Sequence, residues 1–216
     1  MEEAREITRR IQKHEKGYYD LWKKVVEISK ADIDKTYKEL NVDFELWKGE
    51  SDVHDLIPEM VTYMKEDGYA YESEGALVVD VKEETDTKEI PPCMILKSDG
   101  ASLYGTTDLA TLVEREKEFN PDAVIYITDK RQELHFMQVF RVAKKAKIVK
   151  GDTQLAHIGF GTMNGKDGKP FKTRDGGVMR LEHLIADINE KMYEKIVENR
   201  AIEEAEARET AKKVGL

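Results

Sequence analysis

An alternation of strands and helices between residues 91 and 163 constrains the fold more than any other feature of the chain. Its centre is Ala-Val-Ile-Tyr-Ile at 123–127, a continuous apolar run typical of a buried parallel strand. The flanking patterns predict two more strands and two helices: strands at 93–96 and 155–163, helices at 107–119 and 131–146. Strands that alternate with helices pair in parallel through right-handed crossovers, so this order predicts half of a doubly wound α/β fold.

The other residues form three further segments. Residues 1–40 carry apolar side chains at helical spacing and predict two helices that divide near residue 31. Residues 41–90 predict a compact αββ insertion, in which a short strand at 43–47 precedes a helix and a β-hairpin. Residues 181–216 predict two helices, of which the last is mostly charged. The fold class is therefore α/β, with an insertion and flanking helices around a parallel sheet.

Composition excludes several classes of protein. The 216 residues include 44 acidic and 35 basic side chains, a net charge of −9, which disfavours non-specific nucleic-acid binding but leaves a local basic patch open. No apolar run approaches the ~18 residues of a membrane helix, and the acidic N-terminus does not resemble a secretory signal. The single cysteine, Cys93, allows neither an internal disulfide nor a cysteine-rich zinc site. We expect a cytoplasmic protein without a membrane partner.

The loop and helix start at 98–108 form the first candidate site. In open α/β sheets, ligands bind in the crevice outside the carboxyl ends of the strands, and this segment follows a predicted strand. Tyr104 and Asp108 are four residues apart, so a helix that begins near them places both on one face. A carboxylate there would pair with a guanidinium or ammonium, and the phenol could add a hydrogen bond. The alternative is that Asp108 only complements the helix dipole while Tyr104 packs.

A second polar cluster follows the central strand. Gln132, His135 and Gln138 recur every three residues, so they share one face if all three are helical. They form either a polar binding face at the sheet edge or a solvated helical face. No second histidine or cysteine lies at ligand spacing, so we predict no metal site.

Two further segments carry candidate charges. The loop at 165–177 contains four glycines and four cations, a composition that can close over phosphates, although it is not a Walker A sequence. The alternative for this loop is an exposed, flexible hairpin. Glu50 is either a carboxylate of the site or part of a helix N-terminus, and its local sequence does not decide between the two.

Four blocks, in this order and at these spacings, are similar to those of the arginyl-tRNA synthetases, a family of class I aminoacyl-tRNA synthetases. The blocks are Lys-Ser-Asp-Gly-Ala-Ser-Leu-Tyr-Gly-Thr-Thr-Asp at 97–108, Gln-Glu-Leu-His at 132–135, His-Ile-Gly-Phe-Gly at 157–161 and Phe-Lys-Thr-Arg-Asp-Gly-Gly at 171–177. The resemblance is strongest from 92 to 185. It implies a partial class I Rossmann-like parallel sheet with an αββ insertion and flanking helices.

The resemblance also implies roles for individual residues. It assigns the arginine guanidinium to Tyr104 and Asp108, a second acidic contact to Glu50, and a place near the α-ammonium group to Gln132. His135 and Gln138 correspond to the ATP side of the pocket. The glycine-rich loop stands where class I enzymes carry a KMSKS signature, and its implied ATP-binding residues are Lys169, Phe171, Lys172, Thr173 and Arg174. Which of its cations, Lys169, Lys172 or Arg174, meets the phosphates stays open.

The chain lacks one sequence block of the family, the HIGH-type signature. No histidine is followed by a HIGH-type sequence, which in class I enzymes belongs to the first half of the fold. The resemblance thus makes 1–40 the end of that first half, 41–90 the insertion, 91–180 the second half and 181–216 a linker towards an anticodon-binding domain. We expect an exposed sheet edge that favours self-association, and no adenylation by this chain alone.

The implied activity is that of an arginine–tRNA ligase. Such an enzyme activates L-arginine with ATP and Mg²⁺ and transfers the arginine to tRNA(Arg), with no tightly bound cofactor. One alternative is a class I synthetase for another amino acid, although an acidic residue beside a phenol favours a cationic substrate. Another is a non-catalytic synthetase-like paralogue that acts as a binding module. An unrelated nucleotide-binding protein would have to match all four blocks by chance.

Overall fold

The computed structural model describes residues 2–162, 164, 168, 180–199 and 202–215. In this part of the chain the α-helices are α1 (Glu2–Gln12), α2 (Lys16–Glu39), α3 (Ile57–Glu66), α4 (Tyr104–Phe119), α5 (Glu133–Lys145), α6 (Leu181–Asn199) and α7 (Glu204–Gly215). The strands are β1 (Tyr71–Ser73), β2 (Ala76–Val79), β3 (Cys93–Leu96), β4 (Ala123–Asp129) and β5 (Gln154–Phe160). Short 3-10 helices at Glu50–Leu56 and Lys130–Gln132 precede α3 and α5.

The chain divides into two compact units. One unit is Trp47–Phe171, and the other combines Met1–Leu46 with Lys172–Leu216. The division of the sequence into four segments stays a prediction, because each unit contains parts of more than one of them.

The second unit is helical. The predicted break near residue 31 is wrong, since α2 runs unbroken from Lys16 to Glu39. The reason is that neither proline nor glycine interrupts the sequence there, and Ala31 favours a helix. The two helices predicted at the C-terminal end are confirmed as α6 and α7, which pack through the buried Ala207 and Ala211.

The predicted strand at 43–47 is also absent. The described backbone at these positions forms bends and irregular structure, and Phe44 and Leu46 are largely exposed. Residues 43–47 alternate briefly between apolar and polar side chains, but they pair with none of the described strands. A short pattern of this kind does not by itself specify a strand.

The larger unit contains a three-stranded antiparallel sheet in the order β1-β2-β3. The turn between β1 and β2 places Glu74 and Gly75 at φ angles of 51° and 81°, as a tight hairpin of this kind requires. Within this sheet, β3 pairs antiparallel with β2, so the prediction that 93–96 joins the parallel sheet is wrong. The loop at 80–92 reverses the chain, and β3 satisfies its backbone groups beside β2.

The predicted parallel pairing is confirmed for the two later strands. β4 and β5 pair in register from Ala123 opposite Gln154 to Asp129 opposite Phe160, with α5 as the crossover. One face of this pair is covered, because Val124 and Tyr126 are buried. The outer face, defined by Ile125, Ile127, Ile158 and Phe160, leaves each of those side chains more than half exposed. Among the described residues, the apolar run at 123–127 therefore faces the core on one side only.

The core of this unit lies where α3, α4 and α5 pack with the sheet residues. Its fully buried side chains include Met64, Ile95, Leu109, Leu112, Val139 and Val142. Burial of a side chain of this size contributes about 1.5–3 kcal/mol. This core fixes the start of α4 and the first turn of α5, the two places that carry the candidate site.

Candidate functional site

The first turn of α4 is anchored by a buried threonine. The Leu103 backbone N–H donates to Thr106 Oγ1 at 2.9 Å, and the Thr106 hydroxyl donates to the Ile95 carbonyl at 2.5 Å. Thr106 is fully buried, so these bonds are shielded from water. They join the beginning of α4 to β3 and thereby fix the positions from which Tyr104 and Asp108 project.

Tyr104 and Asp108 lie one turn apart at this end of α4, as the sequence predicts. Tyr104 is 72% exposed, whereas 26% of the Asp108 side chain is exposed. Asp108 Oδ2 lies 2.6 Å from His135 Nε2, on the first turn of α5. The structure therefore joins two residues that the sequence interpretation placed on different sides of the pocket.

Packing contacts hold the His135 ring against α4 and the core. The ring meets Phe136 edge-on, with centroids 5.0 Å apart, and Phe136 is buried. The ring also lies near Gly105, where a Cβ atom would be 3.9 Å from His135 Cε1. Of the His135 side chain, 28% is exposed. The imidazole is thus held by its neighbours while part of it faces solvent.

A second histidine lies within β5. His157 Nε2 is 2.8 Å from Thr128 Oγ1 on β4, and its ring stacks on Phe136 with centroids 4.9 Å apart. Two residues further, Gly159 approaches Lys130 so closely that a Cβ would lie 2.8 Å from Lys130 Cα. The sequence singled out the His-Ile-Gly-Phe-Gly block but not these contacts. Gly159 could have indicated the close approach to Lys130, since a glycine within a strand often marks a close backbone approach.

Gln132 and Gln138 do not form one face with His135 in a single α-helix. Gln132 ends a 3-10 turn before α5 and is exposed. Gln138 lies within α5, and its amide donates to the Pro91 carbonyl at 2.8 Å. That bond ties α5 to the segment just before β3.

Glu50 is the first residue of the 3-10 helix that precedes α3, and it is exposed. Nearby Lys48 pairs with Glu114 at 3.0 Å and Glu118 at 2.6 Å, both in the second half of α4. Among the described residues, no hydrogen bond or ion pair links Glu50 to Asp108. The role of Glu50 as an acidic contact therefore stays a prediction.

The loop that the resemblance assigns to ATP cannot be compared with the structure. The residues concerned lie outside the described part of the chain: Lys169, Phe171, Lys172, Thr173 and Arg174. Their roles stay predictions.

The surroundings of Asp129 and of Cys93 shift the pKa of each side chain. Asp129, at the end of β4, accepts bonds of 2.9 Å from both Arg131 Nε and Arg131 Nη2, which lower the pKa of Asp129 to about 2. The negative charge of Asp129 is thus already paired with Arg131 within the chain.

The cysteine at the start of β3 is buried. Burial raises the pKa of the Cys93 thiol to about 11, so Cys93 stays protonated near neutral pH and is a poor nucleophile.

Metal-binding and membrane-spanning features were sought in the same described ranges. Within residues 2–162, 164, 168, 180–199 and 202–215, no group of three or more histidine, cysteine or acidic side chains could hold a metal ion. No helix in those ranges is long and apolar enough to cross a membrane.

The structure shows an α/β fold with a βαβ crossover and a carboxylate, Asp108, near the start of α4. Comparison with known protein families identifies its class as a class I aminoacyl-tRNA synthetase domain. The model of the family described as "tRNA synthetases class I (R), catalytic domain" matches residues 1–216. The chain belongs to this family, the catalytic domain of class I arginyl-tRNA synthetases, which confirms the resemblance found in the sequence.

Two curated relatives are named arginine–tRNA ligase. The one from Agathobacter rectalis is 62% identical over 215 residues, which are 97% of this chain and 36% of the relative. The one from Alkaliphilus oremlandii is 56% identical over 216 residues, which are 100% of this chain and 37% of the relative. The chain therefore spans little more than a third of the length of these relatives.

Solved structures agree on the fold. The crystal structure of arginyl-tRNA synthetase from Plasmodium falciparum matches with a TM-score of 0.77 and 24% identity, over 97% of this chain and 34% of that one. The Thermus thermophilus arginyl-tRNA synthetase matches with a TM-score of 0.62 and 18% identity, over 82% of this chain and 36% of that one. At these identities the likeness shows the fold alone.

Proposed function

We propose that this chain forms part of an arginine–tRNA ligase, which activates L-arginine with ATP and transfers the arginine to tRNA(Arg). The observation that carries the proposal is the partly exposed Asp108 carboxylate, one helical turn from the exposed Tyr104. Relatives 56–62% identical to this chain are named arginine–tRNA ligases, which supports the same activity.

Asp108 suits the guanidinium of arginine for a chemical reason. A guanidinium is planar and always charged, and its N–H groups match the oxygens of a carboxylate. An ionised carboxylate has about four lone-pair sites, so Asp108 can accept from His135 and still bind a substrate. A neutral analogue would leave the carboxylate charge unpaired in the pocket, which penalises its binding. Tyr104 would add a hydrogen bond from its phenol.

Two other arginine contacts follow from the family pattern. We assign the α-ammonium group to Gln132, whose amide oxygen can accept from it and whose side chain is exposed. We assign a second acidic contact to Glu50. Exposure of Glu50 leaves its carboxylate accessible to a ligand.

ATP, with Mg²⁺, is the proposed second substrate. The cations Lys169, Lys172 and Arg174 would stabilise charge on its phosphates, and Phe171 and Thr173 would lie in the same loop. His135 and Gln138 are the family's candidates for the ATP side of the pocket. Both already have a partner within the chain, so their support as ATP contacts comes from the resemblance.

The remaining proposals concern the chain as a molecule in solution. We propose that it is cytoplasmic, that it self-associates through the outer face of β4 and β5, and that it forms no adenylate alone. The last proposal follows from the sequence, which contains no HIGH-type block. Formation of arginyl-adenylate by the purified chain would contradict it.

Calorimetric titration of the chain with arginine, lysine and citrulline tests the assignment. Citrulline has nearly the shape of arginine without its charge, so we expect selective binding of arginine. Asp108→Asn should weaken arginine binding roughly 10- to 100-fold, because it removes a charge-assisted hydrogen bond. The matched control is Asp187→Asn, a change at an exposed position of α6, which should leave the affinity unaltered.

Equal affinity for arginine and citrulline, or an unchanged affinity in Asp108→Asn, would reject the arginine site. The alternative, a synthetase-like paralogue that acts as a binding module, predicts no preference for arginine. The titration therefore separates these two functions.

A further inference from the structure

We propose that His135 is a positioning residue for the arginine-specificity carboxylate, and that it acts on arginine through Asp108 rather than on ATP. This inference rests on the proposed function of Asp108. Its structural basis is the 2.6 Å contact between His135 Nε2 and Asp108 Oδ2.

The chemistry of the pair fixes which atom donates. An ionised carboxylate can only accept hydrogen bonds, so His135 must carry a proton on Nε2. The bond uses Oδ2 and leaves Oδ1 for a guanidinium N–H. A carboxylate held at one oxygen has less rotational freedom to lose when it binds a ligand, which is the advantage of preorganisation.

The surroundings of His135 are suited to this role. The ring is packed edge-on against buried Phe136, which itself contacts the rings of Tyr126 and His157 at centroid distances of 4.6 and 4.9 Å. Gly105 lets the ring lie close to the backbone of α4. The donor is therefore held by the core, so its position does not depend on solvent.

The two residues of the pair come from different helices. Asp108 lies on α4 and His135 on α5, and both are about one-quarter exposed, with side-chain values of 26% and 28%. The partial exposure leaves room for a ligand to reach Asp108 while the histidine holds it from α5.

Nuclear magnetic resonance of the chain tests the pair without any assay of activity. Long-range correlations between the imidazole protons and nitrogens report which nitrogen carries the proton. We expect the Nε2–H form for His135, and a changed pattern in Asp108→Ala. A proton on Nδ1 alone, or a pattern that does not respond to Asp108→Ala, would overturn the proposal.

Binding measurements then test the positioning role. His135→Ala should weaken arginine binding about tenfold and leave ATP binding unaltered, because only the carboxylate loses its donor. His135→Gln, whose amide can donate from a similar place, should restore most of the arginine affinity. Lys145→Ala removes a structural contact on the same helix, a 2.8 Å bond to the Asp80 carbonyl, and should leave both affinities unchanged.

Three results would overturn the inference. If ATP affinity falls in His135→Ala and arginine affinity does not, His135 is an ATP contact. If His135→Gln loses as much arginine affinity as His135→Ala, a hydrogen-bond donor at this position does not support arginine binding. If arginine binds to no variant while the Nε2–H pattern is present, the pair exists but the proposed arginine function fails, and the positioning role fails with it.

Discussion

Arg141 holds Asp86 through two parallel hydrogen bonds, each 2.7 Å long, between its two terminal nitrogens and the two carboxylate oxygens. Arg141 also donates to the Val81 carbonyl at 2.9 Å. These bonds attach to α5 the loop at 80–92, which connects β2 to the antiparallel strand β3. A single side chain of the crossover helix thus stabilises the path of a loop some 55 residues earlier in the sequence.

The stability of this attachment should depend on pH. Hydrogen bonds from Arg141 lower the pKa of Asp86 to about 2 from a usual value of 3.8. A carboxyl with a lowered pKa stabilises the fold above its unfolded-state value, and this contribution disappears as pH falls through about 2. We expect Asp86→Asn to lower the Tm by a few degrees at pH 7 and to have little effect near pH 2.

Calorimetric unfolding at several pH values checks this prediction. Glu83→Gln is the matched control, because Glu83 contacts the same arginine at 3.4 Å but is largely exposed. It should change the Tm little at any pH. An Asp86→Asn deficit that is as large at pH 2 as at pH 7 would contradict the role given to the ionised carboxylate.

Gly159 should not tolerate a side chain. Its Cβ would lie 2.8 Å from Lys130 Cα, and a backbone atom cannot yield as the end of a flexible side chain can. We expect Gly159→Ala to destabilise the chain by about 1–3 kcal/mol, in the range of other overpacked positions. Denaturant unfolding measures this loss. Gly151→Ala is the control, since its Cβ would meet nothing within 4 Å; equal effects of the two substitutions would show that the close approach is unimportant.

The outer face of β4 and β5 should make the chain self-associate. Four apolar side chains on that face are more than half exposed, and patches of this kind favour association in water. We expect sedimentation coefficients to rise with protein concentration. The double variant Ile127→Lys with Ile158→Lys should sediment as a monomer, whereas Thr62→Lys, at an exposed polar position of α3, should behave as the unmodified chain. A monomer at every concentration would refute self-association.

The sequence predicted local structure better than pairing. The hairpin of β1 and β2 and the parallel β4 and β5 follow from apolar patterns and turn residues that lie close together in the chain. The antiparallel pairing of β3 does not, because the side chain that attaches the preceding loop, Arg141, is distant in sequence from Asp86. Likewise the run at 123–127 indicates apolar side chains but not what covers each face.

The same distinction applies to the candidate site. Tyr104 and Asp108 share a helical face because their spacing equals about one turn, a relation visible in the sequence. His135 is 27 residues from Asp108, and nothing in either local pattern indicates that the two touch. The ATP-side assignment of His135 came from the family resemblance and stays a prediction. Gln138 was singled out for its polarity, yet its described contact is with the Pro91 carbonyl.

The buried Cys93 makes this chain convenient for site-specific spectroscopy. It is the only cysteine, it is 5% exposed, and its thiol stays protonated near neutral pH. Maleimide reagents should therefore leave it untouched in the folded protein, so a cysteine introduced at an exposed position would accept the label alone. A fluorophore or spin label could be placed on α4 or α5 without first removing the native thiol.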